Sequence, residues 1–534
     1  MAASNTSFDS LVIGSGLAGL VAACCLWERG RRNIAVVASG LGGTPYVAAF
    51  NSVLPDSPHG DTPELYCSDM YKAGYQIGNR ELIDSLGQLT FECVQLLERW
   101  GVAFTRLDSG EYRLRMVSGS SCPRSLCRTD MLVGLHIAQA LRKGLQEKGV
   151  VFFDNTACCA LAVKDGAIQG ITCCSVDGGE PFFLAAPTVL AAWGGVGNLY
   201  RRSTYPADID GRTLAMAYEA GVSLIDLEFV EFEPMVSLEP PAAVGEPCPT
   251  AMLGEGAHLL NNRGERFLLK IRPEGEAGAP KSLINNAIRE ELKAGRGSPL
   301  GGVYVDLRHI DEKVLRSYPW FYDREMDAGL DVKKSLLQVG PMAHSHSGGM
   351  EIDSACMTNI SGLYAAGEAA GGMHGACRMA GNAATQAAVS GLAAAKSMAQ
   401  QPAGKIAPMR ARDIAVDMAV REKLSPRIRE TVTRFIEKER TRAGLTEAIA
   451  VLDAIGKEAA GDDFTRQLAL SAVLLASAAL KREESRGTHY RDDFRDTDAN
   501  WQCSIRIRND RGAMLLETVG RGAYRPPAEP EENA

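Results

Sequence analysis

The run Leu11-Val12-Ile13-Gly14-Ser15-Gly16-Leu17-Ala18-Gly19-Leu20-Val21-Ala22 decides the fold, because a short apolar stretch passes through closely spaced glycines into a small-residue apolar segment. The pattern predicts a buried strand at Leu11-Val12-Ile13, a tight turn over Gly14 to Gly19, a helix over Leu20 to Arg29 and a second parallel strand at Ile34-Ala35-Val36-Val37. That is a βαβ unit of the dinucleotide-binding kind. Gly14 allows the turn, Gly16 lets the backbone approach a pyrophosphate, and Gly19 permits close helix packing, with the phosphate facing the helix N-terminus. Such a turn also occurs for packing reasons alone, but its place within the first twenty residues favours a nucleotide. Ser39 stands where an acidic ribose contact would end the second strand, which argues against an ordinary NAD site.

A second glycine stretch lies far downstream, Gly362-Leu363-Tyr364-Ala365-Ala366-Gly367-Glu368. The two make joint sense if they hold one flavin dinucleotide. At 534 residues and 46% hydrophobic content the chain is long enough for about three or four domains of ~150 residues. A net charge of -8 and the lack of a concentrated basic footprint exclude nucleic acid as a partner. The 14 cysteines include the neighbours Cys24-Cys25, Cys158-Cys159 and Cys173-Cys174 but no Cys-x-x-Cys repeat, and they read as reduced buried thiols of a cytoplasmic protein. Leu11 to Trp27 lacks the basic flank of a signal peptide, and Leu468 to Leu480 falls short of the ~20 residues of a membrane span. No metal site is expected, since His344, His346 and His374 come without further ligands.

Along the chain, helical spacing recurs from Arg80 to Trp100 and from Asp130 to Lys148, followed by β-rich runs. The fold class is α/β. The expected organisation is a discontinuous Rossmann-like nucleotide domain (1–227 and 343–400), an inserted capping domain (228–342), a helical domain (408–486) and a loop-rich tail (487–534). Within the cap, a polar helix after Lys281 and a strand at Val303-Tyr304-Val305 are expected, and the helix Ala383 to Met398 returns to the nucleotide domain. The charged stretch from Arg410 to Arg486 has helical periodicity almost without turn signals.

The continuation Gly371-Gly372-Met373-His374-Gly375-Ala376-Cys377-Arg378-Met379-Ala380-Gly381-Asn382 resembles the flavoprotein subunits of succinate dehydrogenase and fumarate reductase, and their relative L-aspartate oxidase. Similar stretches are Ala191 to Gly197, Asp210-Gly211, Asp226 to Phe232 and Glu484 to Phe494, so the likeness runs in order over nearly the whole chain. The resemblance implies FAD, held by Gly14, Ser15, Gly16, Ala18, Gly19, Ser39, Thr44, Gly194, Gly195, Glu368, Gly381 and Asn382. The family's covalent flavin linkage uses a histidine just after the second strand. Here Gly42-Gly43-Thr44-Pro45-Tyr46 has none, so the FAD is expected to be non-covalent.

The resemblance also implies hydride transfer between flavin N5 and a carboxylate substrate, interconverting its saturated and unsaturated forms. His344 and Arg378 match the family's carboxylate-binding groups, and Arg378 offers the planar fork that suits one. Three stretches depart from the pattern. Phe232-Glu233-Pro234-Met235 replaces the family's aromatic followed by His-Pro-Thr; Pro249, Thr250 and Leu253 replace its Thr, Glu and Arg; and Pro280 precedes Lys281 where relatives carry the proton-relay arginine. Burial is expected to lower the pKa of Lys281 toward a useful range. Glu233 would repel a second substrate carboxylate, so simple C4 dicarboxylate chemistry is not expected. Glu233 and Lys281 read either as a coupled catalytic pair or as solvated cap residues. Besides a catalytic subunit like that of fumarate reductase, two alternatives stand: a soluble enzyme like L-aspartate oxidase, and an FAD-binding electron-relay component without its own substrate. An iron-sulfur electron-transfer subunit is the partner the resemblance implies, with any membrane association coming through such partners.

Overall fold

Ser10–Ile13 is buried at every position and forms the middle strand of a five-stranded sheet in this computed structural model, which describes residues 6–520 apart from 58, 177, 405 and 439. The strand order is Leu363–Ala365, Val189–Ala191, Ser10–Ile13, Ile34–Val37 and Val151–Phe153, and all neighbours run parallel. Short runs of Val, Ile, Leu and Ala suit this position because a parallel sheet is covered on both faces. One cover is the helix Leu17–Glu28, which starts directly after Gly16, three residues before the expected Leu20. Another is Asn382–Gln400. The two pack closely because their contact is built from small residues: a Cβ on Gly391 would lie 2.3 Å from the Ala18 carbonyl oxygen.

The segment between Leu227 and Pro341 builds a separate antiparallel sheet in the order Val230–Ser237, Leu337–His346, Val303–Asp306, His258–Leu260. Leu337–His346 continues past residue 342, which places His344 on this sheet. Pro234 sits within the first of these strands where the pairing breaks between Glu233 and Val236, as its missing N–H requires. Met235, Leu259, Ile284, Ile288, Val305 and Phe321 belong to the apolar core beneath, together with Met252 and Leu253, so Leu253 is a packing residue rather than a polar substitute. The helix Lys281–Lys293 lies over the strand Val230–Ser237.

Two expectations are corrected. The helical region begins at Met418, not Arg410, because Asp417 caps the helix Met418–Val432 through the amides of Ala419 and Val420 and the preceding residues 410–417 carry no helix. That helix runs into a π-turn at Thr433–Lys438, followed by Arg442–Glu458 and Asp463–Lys481, capped by Thr441 and Asp462. The tail is not loop-rich throughout: Cys503–Asp510 and Ala513–Gly520 form a hairpin. Arg511 and Gly512 turn it with φ of +52° and +93°, the left-handed pair that a two-residue hairpin demands. Cys503–Asp510 then pairs with Leu224–Ile225, next to Gly349–Met350. The Pro/Glu-rich end of the tail lies outside the described residues. Among those residues no helix is long and apolar enough to cross a membrane.

Candidate active site

The cofactor cradle follows from backbone geometry. Gly14 has φ +110°, and a Cβ there would stand 2.1 Å from the Ala192 carbonyl oxygen, while one on Gly19 would stand 2.0 Å from that of Gly14. Gly16 at the N-cap of the helix Leu17–Glu28 offers no capping side chain and the first turn carries no acidic residue, so the N-terminal dipole is left uncompensated by charge. Thr44 Oγ1 accepts from the Leu17 amide at 2.7 Å, and Ser15 Oγ donates to the Gly40 carbonyl at 2.9 Å, which fixes the loop after the second strand beside this turn. The distant glycine stretches meet at Ala18, whose Cβ would lie 3.0 Å from a Cβ on Gly367. Ala18 thus joins the halves by packing. These features fit the pyrophosphate of a dinucleotide.

Glu368, Asn382 and Ser39, like Ser15 and Thr44, are expected cofactor contacts that have protein partners as well. Glu368 Oε1 accepts from the His346 amide at 2.7 Å and from the Tyr205 hydroxyl. Gly195 makes room for that carboxylate, since a Cβ there would lie 2.6 Å from Glu368 Cδ, and Gly194, at φ +81°, faces Ile209. Gly381, at φ +79°, precedes the helix Asn382–Gln400, and Asn382 Oδ1 accepts from Asn51 Nδ2 at 2.8 Å and from the Tyr66 hydroxyl at 3.2 Å. Near Ser39 stands Asp208, whose Oδ2 accepts from the Gly42 amide at 2.8 Å and whose backbone oxygen accepts from Ser39 Oγ at 3.4 Å.

The four expected catalytic residues converge. Lys281 Nζ lies 2.6 Å from Glu233 Oε2 and 3.2 Å from Glu231 Oε1, and Arg378 Nη2 reaches the same Glu231 oxygen at 3.0 Å. Glu233 and Lys281 are therefore a pair in the interior, not solvated cap residues; their side chains are 7% and 23% exposed. Arg378 donates its Nε to Ser345 Oγ at 3.0 Å and its Nη1 to the Met379 carbonyl at 3.1 Å. His344 places Nδ1 at 2.9 Å from Thr204 Oγ1. His346 and His374 are elsewhere engaged, on the Leu227 carbonyl and on Gln386.

The electrostatics decide the protonation states. Burial would lower the proton affinity of Lys281, but the carboxylates of Glu233 and Glu231 outweigh it and hold the ammonium above its ordinary pKa. The expected downward shift is thus reversed. Burial acts to raise the Glu231 carboxyl, yet Arg378 and then Lys281 bring it down to about 2. His344 is pushed down to about 4 by burial and by the Lys281 charge, so it is neutral at pH 7. Glu231, Glu233 and His344 have ligand atoms within 4.8 Å of one another, the spacing of a cation site, and Lys281 is the cation that lies on both carboxylates.

Glu231 joins the site without having been among the expected residues. The signal was present, because Glu231 and Glu233 are two apart on one strand and must share a face. Tyr205 and Thr204 carried no comparable signal.

The fold and cradle define an FAD-binding oxidoreductase. The family model described as FAD binding domain matches residues 9–384, and that for the fumarate reductase flavoprotein C-terminus matches 464–520. The chain belongs to the flavoprotein family of fumarate reductase and succinate dehydrogenase. It is 31% identical to a fumarate reductase (CoM/CoB) subunit of Methanothermobacter marburgensis over 96% of this chain and 98% of that protein. It is 32% identical to L-aspartate oxidase of Mesorhizobium japonicum over 92% of each chain. Among solved structures, Mycobacterium smegmatis Sdh1 in complex with UQ1 matches with a TM-score of 0.85 and 28% identity, over 98% of this chain and 96% of that one.

Proposed function

We propose that the chain interconverts the saturated and unsaturated forms of a carboxylate whose far end is uncharged or cationic, rather than a simple C4 dicarboxylate. The charge balance of the site carries this reading. The carboxylates of Glu231 and Glu233 face the cations of Lys281 and Arg378, and His344 is neutral. No net positive charge remains for two substrate carboxylates. At about 4 Å and an effective dielectric near 20, a second carboxylate beside Glu233 would be repelled by about 4 kcal/mol. One carboxylate is taken between His344 and Arg378, where the neutral imidazole donates from the nitrogen turned away from Thr204. Lys281 holds the proton to be delivered to, or removed from, the carbon next to the reacting centre, and Glu233 keeps its ammonium positioned. FAD, bound without a covalent link, supplies the two-electron hydride chemistry. Reoxidation of the reduced flavin, followed at its visible absorbance against a panel of unsaturated acids, tests the reading. Fumarate emerging as the fastest acceptor refutes it.

A second reading, oxidation of an amino acid, is favoured by the L-aspartate oxidase relatives, and it requires Glu233 to exchange the Lys281 ammonium for that of the substrate. Bleaching of the isolated protein's flavin by L-aspartate alone would establish it. The Methanothermobacter relative is named as one subunit of its reductase, which supports an electron-transfer partner; an iron-sulfur protein is proposed for that place and copurification is the check.

A further inference from the structure

A cavity of about 110 Å³ lies where the segment after Tyr200, the helix Lys281–Lys293 and the π-turn Thr433–Lys438 meet. The guanidinium groups of Arg201, Arg202 and Arg289 line it, and Glu437 is the sole carboxylate among its lining residues. Among the described residues Arg202 donates to two backbone carbonyls, those of Gly301 at 3.3 Å and Leu300 at 2.5 Å. Arg289 donates to the Glu437 carbonyl at 3.2 Å and stacks 4.7 Å from the centre of the Tyr490 ring. Among the described residues neither forms an ion pair, whereas Arg201 pairs with Glu430 at 2.8 Å. Both are half-buried, and partial burial presses Arg202 and Arg289 below their ordinary proton affinity. A π-turn is an energetically poor local choice that is most often kept for function, and here it forms one wall. The volume approaches the roughly 150 Å³ of cavities that accept one benzene, which suits a molecule of about six heavy atoms.

The cavity backs onto the redox site through shared elements. Asn285 and Arg289 follow Lys281 at helical spacing and so share its face, and Asn285 Nδ2 donates to the carbonyl of Phe232, between Glu231 and Glu233, at 2.7 Å. On the other side the Ala343 amide donates to the Arg202 carbonyl at 3.1 Å, next to His344.

We propose that this cavity is a second anion site, which takes a compact carboxylate or phosphate through Arg202 and Arg289 and couples its occupancy to the placement of Lys281 and His344. The forks of the two arginines match the oxygens of such an ion, and the bound anion supplies the direct ion pair that Glu437 and Asp492, acting on Arg289 from nearby, do not form with it.

The test uses the flavin-loaded protein, titrated calorimetrically with malonate and with inorganic phosphate at ionic strength held constant with chloride. The wild type is expected to bind at least one of them saturably; malonate alone points to a carboxylate, phosphate alone to a phosphate. Arg289→Gln is expected to weaken binding at least tenfold, Arg202→Gln together with Arg289→Gln to abolish it, and Arg289→Lys to restore part of it. Arg378→Gln, which alters the redox site, is expected to leave it within twofold. Absence of saturable binding in the wild type, equal binding by the double variant, or loss with Arg378→Gln alone overturns the proposal. Should the double variant lose its flavin, the Arg289→Gln and Arg289→Lys pair decides.

Discussion

Among the described residues, replacing Lys281 with Met removes the one cation paired with Glu233, whose side chain is 7% exposed, and one of two paired with Glu231. Breaking a buried pair by deleting one partner costs about 3–5 kcal/mol, because the remaining charge stays desolvated. Glu231 retains Arg378, so the lower end, about 3 kcal/mol, is expected. With an unfolding entropy of about 2 cal/mol/K per residue, a chain of 534 residues changes stability by about 1 kcal/mol per degree, so Tm falls by only ~3 °C. Urea unfolding followed by flavin fluorescence is the better assay. Adding Glu233→Gln to Lys281→Met should recover most of the loss, since a neutral amide needs no counter-ion. Turnover should not recover with it: a positioned acid-base group contributes about 10²- to 10⁴-fold, and the double variant has lost the ammonium. A Lys281→Met variant within about 1 kcal/mol of the wild type would refute the buried-pair argument. A stable double variant with undiminished kcat would remove Lys281 from proton transfer.

Glu231 sits below its unfolded pKa in the folded state, so its contribution is complete above about pH 4.5 and is lost as pH falls toward about 2. Glu231→Gln should remove roughly 3 kcal/mol of acid sensitivity in that window, read from urea midpoints at stepped pH. His344 is also depressed, but as a base: the unfolded chain takes up a proton below about pH 6.5 while the folded one resists until about pH 4. Stability should therefore fall across that interval, and His344→Gln should flatten the slope; an unchanged slope would mean the imidazole is already charged when folded. Gly14→Ala drives a Cβ to 2.1 Å from the Ala192 oxygen at a φ of +110°. The purified variant should carry less than a tenth of the wild-type flavin absorbance, and full flavin content would contradict the cradle geometry.

The βαβ start was legible because a parallel sheet needs unbroken apolar runs, and Leu11 to Val37 supplies them around the only turn that fits. Arg378, His344, Lys281 and Glu233 were legible as candidates, although nothing in the chain order showed that one lysine bridges two carboxylates. Glu231 could have been found from its spacing to Glu233. The hairpin after Trp501 also carried its signal, Ile505-Arg506-Ile507-Arg508 alternating before a glycine turn, but its strand partners lie hundreds of residues away. Asp208 beside Gly42, and Tyr205 on Glu368, are tertiary meetings with no local periodicity to announce them.

Cys503–Asp510 completes a sheet begun by Leu224–Ile225, so a growing polypeptide on the ribosome holds that edge open until the far downstream codons of its partner strand are read. Such late closure of long-range pairs is slow. Until residues 503–510 emerge, newly made protein keeps the backbone donors and acceptors of Leu224–Ile225 unpaired along that flank while the chain is still tethered. Early stop codons just upstream of Trp501 would therefore release chains with every glycine of the cradle in place and that flank still unpaired.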